Sequence, residues 1–193
     1  MTTTEAPFVA DLRRLLACED SIAWASQYTT LDEAWAACER GDWMLWLAGR
    51  LAGEPGDDRR RPLVLAACEC ARLSLPIFEA KYPNDRRPRI AIETAERWAR
   101  GDTAVTLDDV RAAADAAYAA YAAYADAASA SAAAAAYAAY AAYAAYAASA
   151  SAADAAAAAD ADADADAKTQ ALRQCADIVR KHYPQPPDIG GAS

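Results

Sequence analysis

Residues 112–167 read AAADAAYAAYAAYADAASASAAAAAYAAYAAYAAYAASASAADAAAAADADADADA, and this stretch, the Ala/Tyr tract, decides the fold class. It consists of 38 alanines, seven tyrosines, four serines and seven aspartates. Alanine has the highest helix propensity of all residues, and neither Gly nor Pro occurs between Thr103 and Tyr183. The tract therefore predicts helix, and we expect an all-α protein.

The tyrosines of the tract form two ladders, in which each Tyr follows the last by three residues. On a helix with 3.6 residues per turn this spacing turns each ring by about 60° from the previous one, so each ladder covers a broad stripe. Three interpretations remain open: the rings fill gaps between closely packed Ala helices, they form an aromatic interface for a protein partner, or the tract is a low-complexity expansion without a specific role. The candidate partner-binding tyrosines are Tyr118, Tyr121, Tyr124, Tyr137, Tyr140, Tyr143 and Tyr146.

Four aspartates alternate with alanine at the end of the tract: Asp160, Asp162, Asp164 and Asp166. A calcium loop of the EF-hand type also needs a Gly at its turn and a final Glu, and both are missing, so we expect no metal site here. The run reads as a solvated acidic segment or as a contact for a basic partner. With seven aspartates and no base, the tract repels phosphate backbones and anionic lipid, which argues against nucleic acid and membrane binding.

A single helix from the start of this region to Tyr183 would be about 115 Å long, too long for a compact domain of this size. We therefore expect breaks, with the serine pairs in residues 128–131 and 148–151 as candidate turns. The alternative is one long protruding helix.

Large apolar residues, including all five tryptophans, lie mainly before the tract and predict a conventional helical core over residues 6–102. Thr30 and Glu33 have capping-box spacing. At 41–42 and 101–102, a left-handed Gly followed by an Asp N-cap predicts that one helix ends and the next begins. Pro76 predicts a kink or break. The predicted helices are 7–18, 21–28, 31–40, 43–52, 62–78, 88–100 and 168–183.

The fold class is thus an all-α multi-helix bundle or array, with long Ala/Tyr-rich helices folded back on a core rich in Trp and Leu. We expect one domain over residues 6–183, in which 103–183 form the Ala-rich helices. We expect residues 184–193 to form a disordered tail.

No residue pattern supports catalysis or a cofactor, so we do not expect an enzyme. Five cysteines, an odd number without a secretory leader, indicate reduced thiols in a soluble cytoplasmic protein. Cys68 and Cys70 point about 200° apart on a helix and cannot form a zinc pair. We expect His182, the only histidine, to lie at the C-terminus of a helix, where it interacts with the helix dipole and has no catalytic role. The arginine clusters at 59–61 and 86–89 are solvated loop charges or a docking patch for an acidic partner.

Four blocks together carry a family resemblance: residues 37–47 (ACERGDWMLWL), 65–72 (LAACECAR), 88–98 (PRIAIETAERW) and 175–180 (CADIVR). With the tract between the last two, the chain resembles the alanine-rich bacterial immunity-protein family of polymorphic toxin systems over residues 30–183. The resemblance implies a cytoplasmic protein that binds and neutralises a cognate toxin.

The leading hypothesis is therefore a non-enzymatic immunity protein that inhibits its toxin by stoichiometric binding. The tyrosine ladders, the aspartate run and the helix end that carries Trp43 and Trp46 are the candidate contact surfaces. The alternative is a structural or self-associating protein whose Ala/Tyr faces pack between copies.

Overall fold

The computed structural model describes residues 6–54, 56–124 and 165–190, which form helices and connecting turns without any strand. The all-α prediction is confirmed. In chain order the helices are α1 (Pro7–Arg14), α2 (Glu19–Ala25), α3 (Leu31–Ala37), α4 (Gly41–Leu51), α5 (Arg61–Lys81), α6 (Arg87–Ala99), α7 (Leu107–Tyr124) and α8 (Ala165–His182), with a 3-10 turn at Asp58–Arg60 before α5.

Local side-chain chemistry sets two of the helix starts. The Thr30 hydroxyl accepts a hydrogen bond from the Glu33 amide at 3.2 Å, and the Glu33 carboxylate accepts from the Thr30 amide, which confirms the predicted capping box. At the start of α7, the Thr106 amide donates to the Asp109 carboxylate at 2.8 Å, and the Asp109 amide donates to the Thr106 hydroxyl at 3.2 Å. These caps satisfy amides that have no partner within the helix.

The core has two main parts. The N-terminal cluster is built by α1 to α4 and is completed by the far end of the chain: Ala176 and Val179 of α8, and Ile189 after it. The central cluster is built by α5, α6 and α7 around Cys68, Ile92 and the small residues of α7. Alanine keeps α7 close to α6: its buried residues in this cluster are Val110, Ala114 and Ala117.

Helix α8 joins these two parts because it packs on both α4 and α5. Arg180 Nη1 donates to the carbonyl oxygens of Trp35, at 3.2 Å, and of Cys38, at 2.7 Å, where α3 ends. Trp35 Nε1 in turn donates to the Tyr183 carbonyl oxygen at 3.0 Å. The last helix therefore supplies hydrogen-bond partners for the open end of the third one.

Gly41 does not stop a helix, as the sequence predicted, but lies in the first turn of α4, after α3 has already ended at Ala37. The reason is a close approach: a Cβ on Gly41 would lie 2.4 Å from the Cβ of Cys175 on α8. Gly101 does end α6 in the left-handed conformation, at φ 83°, but the chain then turns before α7 begins at Leu107.

Two further predictions concern the break at Pro76 and the course of the chain between α7 and α8. Helix α5 runs through Pro76 without a break. Helix α7 packs on α6, and α8 packs on α4 and α5. The residues between α7 and α8, with the candidate turns at 128–131 and 148–151, lie outside the described residues, so both the predicted breaks and the alternative of one long helix stay predictions.

The predicted disordered tail is wrong for residues 184–190. Ile189 is 6% exposed and packs in the N-terminal cluster. Arg14 Nη2 donates to the Ile189 carbonyl oxygen at 3.3 Å. The polar and proline-rich composition of this segment concealed its single buried apolar anchor.

Candidate functional site

The partner-binding residues predicted from the sequence fall mostly outside the described residues. Tyr118, Tyr121 and Tyr124 lie in α7, and Asp166 lies in the first turn of α8. The other seven, Tyr137, Tyr140, Tyr143, Tyr146, Asp160, Asp162 and Asp164, lie outside the described residues. The partner-binding role of all eleven stays a prediction.

A cluster of half-buried aromatic rings lies on α2, the turn after it and α4, and we call it the aromatic face: Trp24, Tyr28, Trp43 and Trp46. The Trp24 ring centroid is 4.8 Å from that of Tyr28 and 5.9 Å from that of Trp43, both in tilted arrangements. Half-buried Trp and Tyr residues in contact with one another are typical of the centres of protein interfaces.

A groove runs between these rings and the neighbouring helices. Trp24, Trp43 and Trp46 line it, and Leu12 and Ala17 close it at the end of α1. Its lining is almost entirely apolar, so it would accept a hydrophobic side chain and not a polar small molecule.

One edge of the aromatic face is fixed by an ion pair. Arg40 donates from Nε to Asp42 Oδ1 at 2.8 Å and from Nη2 to Oδ2 at 2.5 Å, and its guanidinium carbon lies 4.2 Å from the Trp43 ring centroid. Hydrogen bonding to the carboxylate of Asp42, which is 5% exposed, raises the pKa of Arg40. The Arg-Gly-Asp sequence at 40–42 is therefore folded on itself and not displayed as an extended tripeptide.

The segment that carries the aromatic face is strongly acidic. Residues 16–47 contain six acidic residues and one arginine. Glu19 and Asp20 begin α2 at exposed positions, and Asp32 does so in α3. The only arginine of the segment is Arg40, which is already paired with Asp42. Glu39 is paired with Arg173 of α8, and Arg14, just before the segment, is paired with Asp11. The exposed acids of α2 and α3 therefore favour a basic partner.

The basic clusters are largely neutralised within their own loops. Arg59 pairs with Asp57 at 2.6 Å, and Arg87 pairs with Asp85 at 2.6 Å. Arg60 is fully buried and donates to the Gly53 carbonyl oxygen at 2.5 Å. This arrangement supports the interpretation of loop charges offset by nearby acids and gives little support to a patch for an acidic partner.

Three of the five cysteines, Cys38, Cys68 and Cys70, are buried as small core residues. Cys68 is fully buried, and burial raises its pKa; burial likewise raises the pKa of Cys38. At the far end of α8, His182 Nε2 lies 3.0 Å from Glu69 Oε1, and Lys181 Nζ donates to the same carboxylate at 3.0 Å. This group ties α8 to α5 and includes no nucleophile.

The part of the chain that the structure describes contains no cluster of three or more His, Cys, Asp or Glu side chains that could hold a metal ion. Within the same residues, no helix combines the length and hydrophobicity needed to cross a membrane.

A family model described as "Imm-5 like putative immunity protein" matches residues 54–183, more than half of the chain. The chain belongs to this family. The match confirms the family resemblance and covers three of the four sequence blocks, while the block at residues 37–47 precedes it. No curated protein and no solved structure matches the chain.

The match to the Imm-5-like family begins after α4 and includes α5 to α8. The aromatic face therefore belongs to the part of this immunity-family protein that precedes the matched residues. Sequence reasoning singled out Trp43 and Trp46 but missed Trp24 and Tyr28. Their spacing of four residues within the predicted helix 21–28 was the available signal, since i,i+4 aromatics share a helix face; in the structure α2 ends at Ala25 and Tyr28 follows in the turn.

Proposed function

We propose that this protein neutralises a cognate bacterial toxin by stoichiometric binding, as part of a polymorphic toxin system and in the cytoplasm of the cell that it protects. Membership of the Imm-5-like family is the observation that carries the proposal. The aromatic face adds a surface of the composition that protein interfaces use at their centres.

Neutralisation by binding needs no catalytic residue in the inhibitor. An inhibitor that covers the working surface of a toxin only has to remain bound, which requires a dissociation constant well below the toxin concentration. A constant of about 1 nM corresponds to about −12 kcal/mol, and interfaces of about 1,600 Å² in total can reach it when they contain a few well-packed aromatic anchors.

The tyrosine ladders and the aspartate run are proposed as further contacts of the same partner. Together they would offer both aromatic rings and carboxylates in a tract that has no basic residue. A toxin with basic and apolar residues on its binding surface fits both this tract and the aromatic face.

Co-expression tests the proposal. Candidate bacterial toxins are expressed from an inducible promoter in a susceptible bacterial host, with or without this protein, and growth is measured. We expect rescue by one toxin–inhibitor pair and a 1:1 complex of that pair by size-exclusion chromatography with light scattering. Rescue without a complex would contradict binding as the mechanism, and the absence of rescue with every candidate would contradict the function.

The same light-scattering measurement on the protein alone addresses self-association through the Ala/Tyr faces. A monomer whose mass does not change with concentration rules out a self-associating role. Large regular oligomers of the isolated protein would instead favour it over inhibition.

A further inference from the structure

Leu16 has an unusual conformation at the end of α1. It is the only non-glycine residue with a positive φ among the described residues, at φ 68°. Its amide donates to the Arg13 carbonyl at 2.9 Å, and the next amide, that of Ala17, donates to the Leu12 carbonyl at 3.0 Å. These two bonds define a Schellman motif, whose left-handed position normally holds glycine.

The end of α6 shows the same motif with the expected residue. Gly101, at φ 83°, donates to the Trp98 carbonyl at 2.9 Å, and Asp102 donates to the Arg97 carbonyl at 3.0 Å. The chain therefore ends one helix with glycine and the other with leucine in the same backbone geometry. Leucine in this conformation brings its Cβ too close to the following carbonyl oxygen, and glycine does not.

Packing does not explain the leucine. Leu16 is 79% exposed, the most exposed of the large apolar residues that the structure describes. A side chain in contact with so little protein stabilises the fold very little, while its backbone conformation destabilises it. Strained residues that the fold itself does not need point to a functional contact.

The position of Leu16 connects it to the aromatic face. Leu12 and Ala17, which flank it within the Schellman motif, both line the groove beside Trp24 and Trp43. Leu16 does not itself line the groove, but it lies next to it, because the following residue, Ala17, is part of the lining.

We infer that Leu16 and the aromatic face form the docking surface for the toxin, and that they receive a basic face of that protein which inserts one apolar side chain into the groove. The inference rests on the proposed function, which it deepens by naming the surface and the chemistry of the partner. Charge complementarity selects a basic face, since Glu19, Asp20 and Asp32 are exposed on α2 and α3. The arginines next to them are engaged in ion pairs: Arg14 with Asp11, Arg40 with Asp42 and Arg173 with Glu39.

The decisive variant is Leu16→Gly, because glycine suits the backbone at this position. The probe is the purified toxin that passes the growth-rescue assay. We expect Leu16→Gly to keep or raise the thermal unfolding midpoint and to weaken toxin binding at least tenfold in calorimetry. Leu16→Asn, which also tolerates the left-handed conformation, should behave in the same way.

Ile90→Ala is the matched control. Ile90 is also an exposed apolar residue, at 47%, but it lies on α6, outside the groove lining and the segment 16–47. Its substitution should leave toxin affinity within twofold of the wild type. The charge assignment is tested separately by Asp20→Lys, which should slow toxin association severalfold at low ionic strength and have a smaller effect at high salt.

The outcomes separate this inference from the proposed function. If the wild type rescues growth and binds the toxin while Leu16→Gly binds equally well, the docking surface is wrong and the function stands. If Leu16→Gly loses stability together with binding, Leu16 is a structural residue and the inference fails. If the Asp20→Lys variant associates with the toxin faster than the wild type does, the assignment of a basic partner is wrong. If Leu16→Gly changes the oligomeric state of the isolated protein, the surface binds a second copy of this chain and not the toxin. Absence of rescue by the wild type would remove the function and the inference together.

Discussion

Replacing Gly41 by alanine tests how closely α4 and α8 approach each other. A Cβ at this position would lie 2.4 Å from the Cys175 Cβ, 2.6 Å from the Ala176 amide nitrogen and 2.7 Å from the Cys175 carbonyl carbon. An ordinary contact begins at about 3.4 Å, so the two helices would have to separate by about 1 Å. Two of these three atoms belong to the backbone, which cannot move aside by a change of rotamer.

The expected cost follows from the packing. Overfilling a well-packed core costs about 1–3 kcal/mol, and contacts with backbone place Gly41→Ala at the upper end. The higher helix propensity of alanine returns up to about 1 kcal/mol. We expect a net loss of about 2 kcal/mol, which corresponds to a thermal midpoint about 4–8 °C lower for a chain of this size.

Gly49→Ala is the matched control on the same helix. Its Cβ would meet only the Leu63 Cδ2, at 3.7 Å, which is an ordinary contact. The Gly49→Ala variant should therefore be more stable than the wild type by about 0.5–1 kcal/mol, because alanine has a higher helix propensity than glycine. Urea denaturation and calorimetry of both variants give the comparison. Equal stabilisation by the two alanines would refute the close approach of α4 and α8.

Three further predictions concern stability and thiol reactivity. Burial raises the pKa of Glu96, but hydrogen bonds from Arg72 at 2.7 and 3.0 Å and the charge of Arg72 outweigh burial and hold this pKa below its ordinary value of 4.5. Its stabilising effect is therefore present above pH 4.5 and is lost as the pH falls through the lower folded value. Glu96→Gln should cost about 2 kcal/mol at pH 7 and flatten the acid limb of a stability–pH curve, and an unchanged limb would contradict this. In a thiol-reagent time course, exposed Cys18 should react first and buried Cys68 only on unfolding; fast reaction of Cys68 would disprove the burial argument. Ile189→Ala should cost about 2 kcal/mol in urea denaturation, whereas a disordered tail would show no loss.

The sequence predicted features whose cause is local. The Thr30 capping box and the left-handed Gly101 depend on residues within a few positions, and both are as predicted. The glycine at 41 was misread because the reason for it lies on α8, more than 130 residues away. No local sequence rule distinguishes a glycine that ends a helix from a glycine that allows a second helix to pack closely against the first.

The candidate site was predicted only in part, for the same reason. Trp43 and Trp46 could be chosen from an apolar helix, but their association with Trp24 depends on how α2 packs against α4. The exposed conformation of Leu16 contradicts the residue preference of a Schellman motif, so the sequence suggested no helix end there. In the structure, the position that departs from the local rule directly precedes Ala17, which lines the groove.

The hydrogen bond from Trp35 to Tyr183 joins residues 148 positions apart. At about 5–20 residues per second, a ribosome needs roughly 7–30 s to synthesise that interval. During this time α1 to α4 have emerged without Ala176, Val179 and Ile189, which complete their core. Until those residues are made, α1 to α4 lack part of their core and Trp35 lacks its hydrogen-bond partner. A chain that stops before α8 should therefore fail to complete this core. Premature termination anywhere in the Ala/Tyr tract should therefore also prevent α1 to α4, which were translated correctly long before, from completing their core.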